Sequence, residues 1–152
     1  MVQNEPAEVS ILVVDDDEVD VRGLQRALRK RRVSNPIYVA ENGRVALDLL
    51  SQPRQSRLSK PYIVLLDINM PVMNGLEFLR HLRAEPDLSD TIVFVLTTSD
   101  HERDIASAFE NHIAGYLLKD RVGDDFTDLI SLLEYMTSAC LFPQARNASG
   151  IG

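Results

Sequence analysis

The chain has 152 residues, with 16 Lys plus Arg against 23 Asp plus Glu, a formal charge of −7 and a single cysteine. That length suits one domain with its own core. The acidic balance works against a reader of phosphate backbones, Cys140 alone excludes an internal disulfide, and no apolar run approaches the ~20 residues that span a bilayer. With no signal-peptide pattern at the start, the expectation is a cytoplasmic protein with neither a membrane nor a nucleic-acid partner.

In chain order, residues 1–8 read as a flexible segment, residues 9–139 as the folded domain and residues 140–152 as a tail. Ile11–Val14 is a short apolar run that reads as a buried strand. A helix follows from Asp17 or Glu18, with Val21, Leu24 and Leu28 on one face, Arg22, Arg26, Arg29 and Lys30 toward water, and charges that complement its dipole. Ile37–Ala40 is the second strand, and Arg44–Ser51 the second helix. A polar link runs from Gln52 to Pro61. Tyr62–Leu66 is the third strand, and the segment from Asn69 to Gly75 is a turn in which Gly75 is free to take positive φ. Leu76–Ala84 is the third helix, Ile92–Leu96 the fourth strand, and residues 101–112 a fourth helix offering Ile105, Ala108 and Phe109 to the core. Gly115–Leu118 is the fifth strand, and Asp125–Ala139 a fifth helix presenting Phe126, Leu129, Leu132, Leu133 and Met136. The strands are continuous apolar runs rather than alternating ones, which suits a parallel sheet covered on both faces. Strict alternation of five strands and five helices predicts an α/β, doubly wound, five-stranded parallel sheet, whose sites lie beyond the carboxyl ends of the strands.

Polar groups cluster at those ends. Asp15, Asp16 and Asp17 follow the first strand, Asp67 and Asn69 the third, Thr97, Thr98 and Ser99 the fourth, and Lys119 the fifth. Any one of them is ordinary, and Asp17 reads as a helix cap. Together they put carboxylates from two strands at one edge, where a shared hard cation such as Mg²⁺ relieves their repulsion. A carboxylate there can act as nucleophile toward a phosphoryl group, with the metal and the lysine offsetting the transferring charge.

The segments Ile11 to Glu18, Ile63 to Gly75, Val93 to Ser99 and Gly115 to Lys119 resemble, in order, the motifs of receiver domains of two-component response regulators, over about residues 9 to 138. The chain is also similar to the single-domain regulators that partner bacterial phytochrome histidine kinases. The resemblance implies a flavodoxin-like fold and makes Asp67 the phosphoacceptor, served by a histidine kinase, with a phosphotransfer or target protein downstream. It implies Mg²⁺ held by Asp16, Asp67 and the main-chain carbonyl of Asn69, with Asp15 acting through water. Thr97 and Lys119 would contact the phosphoryl group, and Tyr116 would be the aromatic switch. A departure lies after Lys119, where the family usually has a cis-proline and this chain has Asp120. A non-proline cis bond is costly, so an altered loop before the fifth helix is expected.

A metal-dependent phosphatase with an aspartyl-phosphate intermediate is an alternative. It is disfavoured because Asn69 stands where such enzymes generally have a second carboxylate. An unphosphorylated interaction module is another, against which the intact acidic set argues. His81, His101 and His112 lack metal-ligand spacing, and the basic face of the first helix reads as solvated. The apolar fifth helix suggests a homodimer through helices 4 and 5. The leading expectation is a receiver without an effector module, non-enzymatic, that signals through protein contacts.

Overall fold

The computed structural model describes residues 8–52, 58 and 60–143. The strands are β1 (Ser10–Val14), β2 (Ile37–Ala40), β3 (Tyr62–Leu66), β4 (Ile92–Thr97) and β5 (Gly115–Leu118). The helices are α1 (Glu18–Lys30), α2 (Gly43–Ser51), α3 (Gly75–Ala84), α4 (Glu102–Glu110) and α5 (Thr127–Ala139). The strands form one parallel sheet in the order β2-β1-β3-β4-β5. Segments 1–7 and 144–152, which take in most of both expected flexible ends, lie outside the described residues. So does most of the link before β3, although its Leu58 is buried in the core.

Side chains alternate across the sheet, and the two faces build separate cores. Leu12, Val14, Val64, Leu66, Val93 and Val95 meet Leu47 and Leu50 of α2, Phe78 and Leu82 of α3, and Ala108 of α4. Ile11, Val13, Ile63, Leu65, Phe94 and Leu96 meet Leu24 and Leu28 of α1 and Leu129, Ile130 and Leu133 of α5. Past α5 the chain turns back and Phe142 joins this second core. At the far end of the sheet from the polar cluster, the Arg83 guanidinium donates to the carbonyls of Ser89, Thr91, Asn111 and His112 at 2.8–2.9 Å, which ties the loops before β4 and β5 to α3.

Two expectations need correction. Gly75 does not take positive φ; Val72 does, at 67°. Gly75 begins α3, and its missing side chain matters because a Cβ there would lie 2.2 Å from the Asp67 carbonyl oxygen. Phe109 faces outward and is 50% exposed, and Ala108 is the buried residue of α4. One residue of offset, about 100° around the helix, is enough to turn an aromatic at the margin of a narrow apolar stripe away from the sheet.

Candidate functional site

β1 and β3 are neighbours whose following helices lie on opposite faces, so a crevice opens beyond their carboxyl ends. The ladder runs one residue past each strand: Asp15 N–H donates to Ala40 O at 3.0 Å and Asp67 N–H to Val14 O at 2.9 Å. This register fixes Asp15 and Asp67 side by side. Both are buried, at 6% and 7% exposure, whereas Asp16 is open to solvent. Carboxylate oxygens of Asp15, Asp16 and Asp67 all lie within 4.8 Å of one another. Three hard oxygen donors with one side toward solvent fit a divalent cation that keeps part of its water shell.

Asp17 caps α1 as expected, its Oδ1 accepting from the Val19 and Asp20 N–H groups. Asp15 Oδ1 accepts from Asp17 N–H at 2.9 Å. Asp67 Oδ1 accepts from Ile68 N–H at 2.8 Å, and Asp67 Oδ2 faces Lys119 Nζ at 3.7 Å. Lys119, at the end of β5, is drawn inward to 10% side-chain exposure, with Nζ 2.8 Å from Asp15 Oδ2 and 2.7 Å from Asp20 Oδ2.

Burial pushes the Asp15 carboxyl up from 3.8 to about 6, and the charge of Asp67 adds to the rise, against the lowering effect of Lys119. Burial also acts to lower the Lys119 ammonium. Its hydrogen bonds to Asp15 and Asp20 and the charges of Asp15 and Asp67 outweigh that and hold it above its ordinary value. A simple ion pair would shift its two members in opposite directions. Here both rise, because the burial of Asp15, with the charge of Asp67, outweighs the lowering effect of Lys119 on it.

Thr97 is fully buried at the end of β4, and its Oγ1 accepts from Ser99 N–H at 3.3 Å. Tyr116 on β5 is half-buried and donates from its hydroxyl to the Ser99 carbonyl at 2.8 Å. Ser99 in turn donates to Asp104 of α4 at 2.6 Å. The β4–α4 loop is thereby tied to both the threonine and the tyrosine. Asn69 is exposed in the loop after Asp67. The structure thus brings Asp15, Asp16, Asp67 and Lys119 into contact or near-contact, and hydrogen-bonds Thr97 and Tyr116 to the same loop residue, Ser99.

Asp20 is a member of this cluster that the sequence pattern does not point to. An acid in the first turn of a helix is common for reasons of dipole alone, and the spacing from Asp15 carries no signal that α1 turns this one back onto Lys119. The Lys119–Asp120 bond is trans; among the described residues the cis peptide is Lys60–Pro61. After Lys119 the chain takes a short 3-10 turn, Gly123 adopts φ 85°, and Asp125 and Phe126 adopt left-handed conformations immediately before α5.

Residues 11–131 match the family model described as the response regulator receiver domain. The chain is 33% identical to response regulator Rcp1 of a Synechocystis species over 125 residues, 82% of this chain and 85% of that protein. The Mn(2+)-bound form of Rcp1 has a similar structure, with a TM-score of 0.77 and 30% identity over 90% of this chain and 99% of that one. The phosphorylated cyanobacterial phytochrome response regulator RcpA gives a TM-score of 0.80 at 28% identity, over 91% and 100% of the two chains. A protein-glutamate methylesterase/protein-glutamine glutaminase of Desulfotalea psychrophila is 39% identical over 109 residues, which make up 72% of this chain and only 28% of that protein.

Proposed function

The chain belongs to the response regulator receiver family, and from that premise we propose that it accepts a phosphoryl group from a histidine kinase onto Asp67 and passes the signal on through protein contacts. The observation that carries this reading is the convergence of Asp15, Asp16 and Asp67 beyond β1 and β3, with the Lys119 ammonium 3.7 Å from Asp67 Oδ2. Asp67 Oδ1 is engaged by the backbone, which leaves Oδ2, the oxygen facing Lys119, as the nucleophile. In the transfer this oxygen bonds phosphorus as the phosphorus–nitrogen bond to the kinase histidine breaks, the nitrogen keeping the electron pair.

Asp15, Asp16, Asp67 and the main-chain carbonyl of Asn69 would hold Mg²⁺, which when bound supplies positive charge against the incoming phosphoryl oxygens. Lys119 pairs with the same oxygens. Thr97 accepts one bond through Oγ1 and keeps its own O–H free to donate to the phosphoryl group. Because Ser99 is bonded to Thr97, Tyr116 and Asp104, movement of the threonine is transmitted to the tyrosine and to the start of α4. A phosphoryl group adds about −1.5 to −2 charge, enough to bias such a loop between two arrangements.

Receivers act in general as signalling modules, and the resemblance to the methylesterase covers too little of that protein to lend its chemistry. Similarity to phytochrome response regulators supports a phytochrome-type histidine kinase as the phosphodonor. The partly exposed faces of α4 and α5, with Phe109 and Tyr135 outward, support a homodimer through these two helices. The described residues include no helix long and apolar enough to cross a membrane. The decisive experiment is labelling by a radioactive small-molecule phosphodonor in Mg²⁺. Wild type takes up acid-stable, base-labile label and Asp67→Asn takes up none; equal labelling of the two contradicts the reading.

A further inference from the structure

Asp20 is the acid of the cluster to which the proposed phosphoryl chemistry gives no task. It projects from the first turn of α1, with its N–H held by Asp17 Oδ1. Its Oδ2 takes a bond from Lys119 Nζ at 2.7 Å, as short as the 2.8 Å bond from the same nitrogen to Asp15 Oδ2. The two acceptors differ in one respect. Asp15 belongs to the group whose oxygens could hold a cation together, and Asp20 does not.

Lys119 therefore bridges an acid that a divalent cation claims and an acid that the cation leaves alone. A cation entering the site repels the ammonium and competes with it for Asp15. An ammonium with 10% side-chain exposure cannot give up its partner cheaply unless another acceptor is in place. Asp20 is already bonded to it. We propose that Asp20 is a positioning residue that receives Lys119 from Asp15 when a divalent cation binds, so that it sets metal affinity and keeps the ammonium beside Asp67. This inference rests on the metal-dependent acceptor reading given above.

The test is a double-mutant cycle on the full chain, with Mn²⁺ affinity measured by electron paramagnetic resonance and by calorimetry for wild type, Asp20→Asn, Lys119→Met and the double variant. Asp20→Asn is expected to weaken binding by roughly three- to tenfold when Lys119 is present and to change it by less than about twofold when Lys119 is absent. Asp20→Glu, which retains the carboxylate charge that Asn lacks, is expected to recover most of the loss. Circular dichroism in EDTA verifies that each variant is folded. An equal loss in both lysine backgrounds marks Asp20 as a distant charge and overturns the proposal, as does no loss in either. Wild type that fails to bind Mn²⁺ saturably overturns the metal reading itself, and this inference with it.

Discussion

The Asp15 carboxyl shows how far one buried side chain departs from ordinary behaviour. Its folded pKa, about 6, lies above the ordinary 3.8 because burial penalises its charge. The folded state therefore binds the proton more tightly than the unfolded chain does. The stabilising effect of that proton is complete below about pH 4 and is lost as pH rises through about 6. Asp15→Asn removes the titration. In EDTA its stability relative to wild type should increase across this window by roughly 3 kcal/mol and then level off. Urea midpoints from pH 4 to pH 8 measure it, and a difference that does not vary with pH contradicts it. The sequence exposes Asp15, Asp16, Asp67 and Lys119 because each lies within two residues of the end of an apolar strand, and parallel register turns that position into proximity. It does not expose Asp20, whose role depends on which way α1 faces, nor the bonds that tie Thr97 and Tyr116 to Ser99.

At the scale of elements, the β3–α3 junction shows why two glycines in one chain carry different weight. A Cβ on Gly75 would meet the Asp67 carbonyl at 2.2 Å and Ile68 Cα at 2.9 Å, and both are backbone that cannot swing away. A Cβ on Gly23, inside α1, would meet Phe126 Cε2 at an ordinary 3.4 Å. Gly75→Ala should cost roughly 2 to 4 kcal/mol and impair phosphodonor labelling, because Asp67 shifts with the strained loop. Gly23→Ala should be neutral or gain up to about 1 kcal/mol from helix propensity. Thermal melts and labelling of both variants check the contrast, and similar behaviour of the two would refute it. Strand and helix spans are largely readable from apolar periodicity. The reason for Gly75 is not, because a close approach between β3 and α3 leaves no trace in local pattern. The outward turn of Phe109 escapes the sequence as well: His101, just before α4, makes no side-chain cap, and Ala108 is the buried residue of the helix.

For the whole molecule, the two cores on opposite faces of one sheet account for the alternation of apolar runs and amphipathic helices along the chain. Part of the −7 charge gains a location, since Asp15, Asp20 and Asp67 gather around Lys119 with Asp16 beside two of them. The partly bare faces of α4 and α5 predict self-association. Sedimentation velocity at tens of micromolar should give a dimer that Phe109→Asp shifts toward monomer, and a wild-type monomer at that concentration would contradict the prediction. On the reading proposed above, this acidic edge receives a phosphoryl group on Asp67. The most direct measurement is borohydride reduction of the phosphorylated protein, which converts an aspartyl phosphate to homoserine, followed by peptide mass spectrometry. Homoserine at position 67 and nowhere else is the predicted result; reduction at another carboxylate, or at none after demonstrated labelling, would contradict the assignment.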